Sequence, residues 1–258
     1  MFNQERKNEI LELMNQQNKV TVGELSSLFG VSDVTVRKDL NDLCDAGLAV
    51  RTHGGAMKRI NTRFELNQEQ KMLVADKEKQ AIAEYACREI SDGETIMLYG
   101  GSTVQELAKK IKQVPWQDLT VVTNALNIAN ELADVDGITL LFIGGILRKR
   151  ILTCIGPLAE EELSQLVVDR VFVSVNFISL EYGLTAANIT EGSFVRSMLK
   201  AGLRKYLLAH SEKFDGNSIY RICGVDDIHV IITDDKLDTD IAEKFNNRKC
   251  ELVRVKVY

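Results

Sequence analysis

Apolar residues spaced three and four apart predict three short helices in the first 47 residues of the chain. The first runs roughly over Gln4–Gln16. The second opens with a Thr21–Glu24 capping box and stops at Gly30, and Ser32 caps a third helix that Gly47 ends. The inward-facing positions of the three helices are Ile10, Leu13 and Met14; Val22, Leu25 and Leu28; and Val36, Leu40 and Leu43.

The stretch after the third helix, LAVRTHGGAM, alternates and carries two glycines, which is typical of a short β-hairpin. Two short helices joined by the four-residue turn 29–32 form a helix-turn-helix, and the hairpin adds a wing. Arg and Lys neutralise phosphates or bond guanine, and Asn reaches adenine. The predicted DNA contacts are Ser32, Asp33, Thr35, Arg37, Lys38, Asn41, Arg51, His53, Gly54 and Gly55. The alternative is a packing module whose charges are merely solvated.

Beyond about residue 80, apolar runs alternate with helical patterns, which predicts a mostly parallel, doubly wound α/β sheet covered on both faces. The predicted strands are Thr95–Tyr99, Leu119–Thr123, Ile138–Ile143, Val171–Val175, Lys205–Ala209 and His229–Thr233. The predicted helices are Lys79–Ile90, Ser102–Lys112, Ala125–Leu132, Pro157–Leu166, Gly192–Leu203 and Thr239–Asn246. The chain is thus divided into a DNA-binding domain (1–57), a polar linker (58–78) and an α/β domain (79–258).

Ligands of such sheets bind beyond the carboxyl ends of the strands. There the chain places glycines, hydroxyls and one lysine, which suit an anion at a helix start. The predicted effector residues at these strand ends are Gly101, Ser102, Thr103, Thr123, Asn124, Gly144, Gly145 and Lys213. The alternative is that these residues only cap helices, form turns and are solvated.

Composition narrows the class of protein further. The net charge is −5, yet residues 1–60 are neutral, with eight Lys/Arg and eight Asp/Glu, so attraction to phosphates requires a local basic face. The five cysteines form no CxxC pair or cysteine–histidine cluster, so we expect no disulfide framework, no metal site and no cofactor. The polar start and the absence of a long apolar run predict a cytoplasmic protein.

The run VSDVTVRKDLNDLCDAGLAVRTHGGA resembles the DNA-binding signature of the DeoR family of bacterial transcriptional regulators. Strand ends such as Gly101-Ser102-Thr103 resemble that family's sensor domain, which is similar in fold to ribose-5-phosphate isomerase and glucosamine-6-phosphate deaminase. The resemblance adds Glu191, which follows Gly183-Leu184-Thr185, to the effector residues. It implies a repressor of a sugar or metabolite utilisation operon. Its partners would be double-stranded operator DNA, a phosphorylated sugar-like effector and further copies of the chain, as a dimer or tetramer.

Three positions depart from the family pattern: Tyr99 replaces an aspartate, Asn176 interrupts a glycine-rich run, and His210 replaces another aspartate. These changes alter the sugar end of the predicted site and favour a changed ligand. An isomerase or deaminase needs a general base, which these replacements remove, so we expect no enzymatic activity. A sensor domain that binds no metabolite and serves only oligomerisation stays an alternative.

Overall fold

The computed structural model describes residues 3–17, 19–52, 54–58 and 68–258 of the chain. The chain divides into two compact units, Met1–Asp76 and Lys77–Tyr258. The first unit contains α1 (Asn3–Gln17), β1 (Lys19–Thr21), α2 (Val22–Phe29), α3 (Asp33–Asp45), β2 (Ala49–Thr52), β3 (Gly55–Lys58) and α4 (Gln68–Leu73). The strands form an antiparallel sheet in the order β1-β3-β2. A winged helix-turn-helix therefore occupies the first unit, as predicted.

Local sequence explains where the first helices begin and end. The hydroxyl of Thr21 accepts a hydrogen bond from the backbone N–H of Glu24, whose carboxylate accepts one from the N–H of Thr21. This reciprocal pair satisfies two N–H groups that the start of α2 would leave open. Gly30 ends α2 in the left-handed region, at φ 63°, and the Ser32 hydroxyl caps α3.

The predicted inward position of Leu28 is wrong, because its side chain is 62% exposed. Val22 and Leu25 are buried as predicted, and Phe29 packs against the same core. These three residues lie at positions i, i+3 and i+7, which define one helical face. Leu28 lies to one side of that face, and α2 is too short to bury both sides.

A buried ion pair fastens α1 to α3. Arg6 Nε lies 2.6 Å from Asp39 Oδ2, and both side chains are almost fully shielded from solvent. Lys7 Nζ makes a second, more exposed pair with Asp42 Oδ2, also at 2.6 Å. A buried charge needs a partner, so Arg6 holds Asp39 inside the unit, while Lys7 compensates the charge of the partly exposed Asp42.

The second unit is built from twelve strands and six α-helices within the residues that the structure describes. Its helices are α5 (Asp76–Arg88), α6 (Ser102–Ile111), α7 (Leu126–Leu132), α8 (Pro157–Ser164), α9 (Ile189–Ala201) and α10 (Thr239–Glu243). Its first strands are β4 (Thr95–Leu98), β5 (Leu119–Thr123), β6 (Ile138–Phe142), β7 (Ile146–Arg148), β8 (Thr153–Ile155) and β9 (Val168–Val173). The remaining strands are β10 (Phe177–Ser179), β11 (Gly183–Ala186), β12 (Gly202–Leu208), β13 (Tyr220–Cys223), β14 (Val230–Asp234) and β15 (Glu251–Val255).

Seven of these strands form one parallel sheet in the order β6-β5-β4-β9-β12-β14-β15. One apolar core lies on each face of this sheet, with Met97 and Phe194 in one and Leu98 and Phe172 in the other. The strand order reverses between β4 and β9. At such a switch point the connections leave in opposite directions and open a cleft at the carboxyl ends of the strands. The predicted fold class is confirmed.

The structure adds elements that the sequence pattern did not predict. The second unit also contains a β7–β8 hairpin and a small antiparallel sheet of β10, β11 and β13, and β15 extends the edge of the large sheet. In the predicted linker, residues 68–73 form α4, and Leu73 and Val74 pack against the core of the first unit. The predicted domain boundaries stay a prediction.

Candidate functional site

The outer face of α3 is polar and basic. Arg37, Lys38 and Asn41 are exposed and follow one another at helical spacing. The buried residues Val36 and Leu40 lie on the opposite face. The helix therefore presents two cations and an amide to solvent over about one turn, as the sequence predicts.

The ion pairs to α1 decide the sign of the charge on this face. α3 contains four aspartates, of which Asp39 and Asp42 are held by Arg6 and Lys7. The negative charges in the middle of the helix are therefore compensated within the unit. The exposed middle turn keeps the positive charge that attraction to a polyanion requires, although the unit as a whole is not basic.

Three predicted contacts lie at the start of α3. The Ser32 hydroxyl accepts from the backbone N–H of Thr35 at 3.3 Å, and the two hydroxyls lie 2.9 Å apart. Asp33 is exposed in the first turn, where a carboxylate is favoured by the helix dipole. Ser32 and Thr35 thus stabilise the helix start at the end that enters a major groove in helix-turn-helix proteins.

The two glycines of the hairpin have different structural roles. Gly54 is exposed at φ 82°, and its carbonyl accepts from Val22 N at 2.8 Å. Gly55 is buried, and a Cβ on it would lie 2.0 Å from the Val20 carbonyl oxygen, so close packing of β1 on β3 requires glycine there. Arg51 is exposed and donates to the Gly55 carbonyl at 3.1 Å. His53 lies outside the described residues.

In the second unit, the cleft at the switch point brings together hydroxyls and a lysine. Ser102 and Thr103 begin α6 directly after β4, and Ser174 follows β9; all three are buried. Lys213 Nζ donates to Ser174 Oγ at 2.7 Å, so the predicted lysine does lie at the mouth between β4 and β9. We call the residues Ser102, Thr103, Ser174 and Lys213 the strand-end cleft.

Several buried polar atoms around these strand ends have no hydrogen-bond partner among the described residues. They are Thr103 Oγ1, Asn124 Oδ1, Thr153 Oγ1, His210 Nδ1 and Thr233 Oγ1. Thr153 lies against the loop after β4, because a Cβ on Gly100 would lie 2.1 Å from its methyl carbon. Buried polar groups are normally paired, so such a cluster indicates water or a polar ligand.

Both positive and negative side chains lie close to His210 in this region. Burial, followed by the nearby positive charges of Lys213 and Lys79, lowers the pKa of His210 well below its usual range. The imidazole is therefore neutral at physiological pH, and the two lysines supply the positive charge. The buried Asp234 carboxylate accepts the backbone N–H groups of Ser211 and Lys236, at 2.7 and 3.1 Å.

Other predicted effector residues have clear roles in the fold. The Thr123 hydroxyl donates to the Leu98 carbonyl at 2.8 Å, and the Asn124 amide donates to the Cys154 carbonyl at 2.7 Å. Gly144 N donates to a Glu162 carboxylate at 3.3 Å. A Cβ on Gly145 would lie 2.9 Å from the Ile155 carbonyl oxygen. These residues shape the strand ends rather than presenting free groups, except for the unpaired Asn124 oxygen.

The remaining predicted residues and the departures from the family pattern make contacts within the second unit. Gly101 precedes α6, and a Cβ on it would contact the Ser174 side chain at 3.5 Å. Glu191, in the first turn of α9, is buried and pairs with Arg148 of β7. Tyr99 is buried with its ring 6.4 Å from that of Phe194, and the Asn176 side chain accepts from Ala187 N at 3.0 Å.

The sequence pattern missed Ser174, Thr153, Lys79 and Arg148. Ser174 lies inside the strand that the pattern placed at 171–175, whereas β9 ends at Val173 and Ser174 directly follows it. A strand ending two residues earlier would have shown it as a strand-end hydroxyl. The β7–β8 hairpin contains Arg148 and Thr153, and α5 contains Lys79. No local sequence pattern distinguishes these three residues from their neighbours.

Within the part of the chain that the structure describes, no three His, Cys, Asp or Glu side chains come together in a way that could hold a metal ion. None of its helices combines the length and the apolar character needed to cross a bilayer.

Both units match family profiles. Residues 6–62 match the DeoR-like helix-turn-helix domain, and residues 74–235 match the DeoR C terminal sensor domain. A winged-helix unit joined to an α/β sensor unit defines a DNA-binding transcriptional regulator. The chain belongs to the DeoR family, whose members are transcriptional regulators and not enzymes.

Similar proteins align over nearly the whole chain. A protein of Escherichia coli O157:H7 named as a repressor of the aga operon is 33% identical, over 97% of this chain and 93% of its own. The HTH-type transcriptional repressor GlcR of Bacillus subtilis is 32% identical, over 91% and 89%. The lactose phosphotransferase system repressor of Staphylococcus epidermidis is also 32% identical, over 94% and 96%.

Solved structures align with about half of the chain. Ribose 5-phosphate isomerase A of Methanocaldococcus jannaschii covers 54% of each chain at 12% identity, with a TM-score of 0.39. The delta subunit of eIF2B from Chaetomium thermophilum covers 61% of this chain and 55% of its own at 20% identity, with a TM-score of 0.44. At these values the alignments carry no information about ligand or activity.

Proposed function

We propose that this regulator is a repressor that binds double-stranded operator DNA through α3 and the wing. The observation that supports this most directly is the exposed basic turn at Arg37 and Lys38, from which the neighbouring acids are withdrawn by ion pairs to α1. Arg37, Lys38 and Asn41 would meet base edges and phosphates, while Arg51 and the Gly54 turn would meet the backbone beside the groove. Three relatives are named repressors, which favours repression over activation.

We further propose that a phosphorylated, sugar-like small molecule binds at the strand-end cleft. The unpaired Thr103 and Thr153 hydroxyls, together with Lys213 and Lys79 nearby, would supply donors and positive charge for a phosphate. One relative is named for the lactose phosphotransferase system, which supports a sugar-derived ligand. Tyr99 and His210 would shape the remainder of the site with an aromatic ring and a neutral imidazole.

The regulator would act as a homo-oligomer, because two winged helices are needed to read paired half-sites. Edge strand β6 (sequence ITLLF) offers a surface for a second copy, since it carries no charge or proline and exposes Leu141 and Phe142. The opposite edge, β15, is protected by Glu251 and Arg254. We place the DNA-binding domain in residues 1–57, the linker in 58–78 and the effector-binding domain in 79–258, and the protein in the cytoplasm with its operator.

Effector control would follow from linkage between the two units. A ligand changes DNA affinity only to the extent that it prefers one arrangement of the oligomer over another. Binding at the strand-end cleft would therefore favour a spacing of the winged helices that no longer matches the operator.

The ligand proposal is tested by thermal melts of the full chain against a panel of sugar phosphates and their unphosphorylated sugars. A ligand at about 100 times its Kd adds about 2.7 kcal/mol, which raises Tm by about 5–10 °C for a unit of this size. The expected result is such a shift with one or a few phosphorylated compounds. It should be lost in Lys213→Met and kept in the control Lys200→Met, which removes an exposed lysine at the end of α9.

Two outcomes would contradict the ligand proposal. Flat melts across the whole panel would favour the alternative in which the second unit serves oligomerisation alone. A full shift retained by Lys213→Met would move the ligand away from the strand-end cleft.

A further inference from the structure

The proposed DNA-reading face of α3 contains one residue of different chemistry. Val34 is 75% exposed, and among the residues of α3, all of which the structure describes, it is the only large apolar side chain in solvent. Val34, Arg37, Lys38 and Asn41 lie at positions i, i+3, i+4 and i+7, so they share one face. Val34 lies on the middle line of that face, toward the start of the helix.

The fold of the unit does not account for a valine at this position. Its side chain contributes little to the core, which Val36, Leu40 and Leu43 fill from the opposite face. A β-branched residue is also less favourable than alanine in a helix, because its χ1 rotation is restricted. A single exposed apolar residue is ordinary on a protein surface. What distinguishes Val34 is its position among the residues that would read base edges.

The major groove offers one strongly apolar feature, the C5-methyl group of thymine. Arg37, Lys38 and Asn41 recognise hydrogen-bonding groups, whereas a valine side chain has no donor or acceptor. In helix-turn-helix proteins the first residues of the reading helix approach the bases, and Val34 is the second residue of α3. Resting on the proposed function, we propose that Val34 contacts a thymine methyl group in each half-site and so contributes to operator specificity.

The test uses the full chain and a chemical probe that removes only the methyl group. Duplexes that bind the wild type are selected from a random-sequence library, and each thymine is then replaced singly by deoxyuridine. One thymine per half-site should lose about fourfold in affinity on replacement, equivalent to the ~0.8 kcal/mol of one buried methyl group. Val34→Ala should lose about fourfold or more on the thymine duplex and should not respond to deoxyuridine at that position.

A matched control separates this contact from a general surface effect. Val167 of the second unit is 74% exposed, and Val167→Ala should bind all duplexes as the wild type does. Because Val34 is exposed, Val34→Ala should melt at the wild-type temperature, which separates a lost contact from a lost fold.

The inference is overturned if no thymine responds to replacement in the wild type, or if Val34→Ala responds as strongly as the wild type does. The variant Arg37→Ala distinguishes failure of the thymine contact from failure of the proposed DNA-reading function of α3. Weak binding by Arg37→Ala with wild-type binding by Val34→Ala would remove the thymine contact but keep α3 as the reading helix. Wild-type binding by Arg37→Ala, or no sequence enriched from the library, would contradict both.

Discussion

At the scale of single residues, burial and neighbouring charge set the protonation state of His210, which lies two residues after β12. His210 is enclosed beside Lys213 and Lys79, and both its burial and these cations oppose a further positive charge. The ring therefore stays neutral at physiological pH. A neutral imidazole has one hydrogen-bond donor and one acceptor, and it does not compete with the lysines for a phosphate as a third cation would.

This arrangement predicts that acid destabilises the protein through His210. The folded-state pKa is depressed, so below the usual histidine range the unfolded chain binds a proton that the folded chain does not. The contribution of His210 to the free energy of unfolding therefore has its full value above about pH 6.5. It decreases as the pH falls below that value, by up to about 1.4 kcal/mol per pH unit. The melting temperature of the ligand-free wild type should fall between about pH 7.5 and about pH 5.

The variant His210→Gln should show a shallower fall in melting temperature over the same pH range. His229 is the control, because its ring is exposed and its pKa is lowered mainly by partial burial. His229→Gln should change the slope less than His210→Gln does. An unchanged slope in His210→Gln would show that His210 is not held neutral in the fold.

At the scale of elements, the two edges of the large sheet differ. β6 ends the sheet with an uncharged run, whereas β15 carries charged side chains at the other end. Natural proteins protect open edges with charges, proline or a covering element. We therefore propose that a second copy of the chain covers this uncharged edge, where Leu141 and Phe142 are exposed.

A charge on β6 should weaken self-association. Leu141→Lys places an ammonium group on the exposed side of the edge, so the variant should dissociate to smaller species at concentrations where the wild type stays associated. Sedimentation velocity over a range of concentrations measures this. The control is Leu203→Lys, at an exposed position in β12. Equal association of Leu141→Lys and the wild type would show that this edge is not the interface.

The sequence predicted elements well where one face of a helix or a central strand is buried. The six predicted strands of the parallel sheet are all present, as are the capping box at Thr21 and the cap at Ser32. Short strands such as β7, β10 and β11 were missed, because three or four residues hold no clear alternation and their pairing depends on tertiary contacts. Leu28 was misplaced for a related reason: its spacing fitted a helix face, but Phe29 fills that face instead.

The candidate sites followed the same rule. Residues that directly follow a central strand, such as Ser102 and Thr103, were found from the order of the sequence. The sequence pattern did not reveal groups that other elements bring to the strand ends. Lys79 lies in α5 and Thr153 in a hairpin strand, so neither follows a central strand in the sequence. The compensation of Asp39 by Arg6 is also a tertiary property, since 33 residues separate them. It gives α3 a basic face in a unit without excess positive charge.

At the scale of the whole molecule, we propose that a ligand in the second unit changes the affinity of the first unit for DNA. Coupling between two sites usually amounts to about 1–3 kcal/mol, or about 5–150-fold in affinity. Such coupling is reciprocal, so operator DNA should lower the affinity of the protein for the ligand by the same factor. The residues proposed for the two sites differ, Arg37 for DNA and Lys213 for the ligand, so a substitution should remove one site without the other.

The most direct measurement is the Kd of the full chain for a library-selected duplex, with and without the sugar phosphate that raises Tm most. We predict that the ligand weakens operator binding by at least about fivefold in the wild type. It should leave the operator Kd of Lys213→Met unchanged. The Lys200→Met control should respond as the wild type does. A ligand that stabilises the wild type yet leaves its operator Kd unchanged would contradict the account.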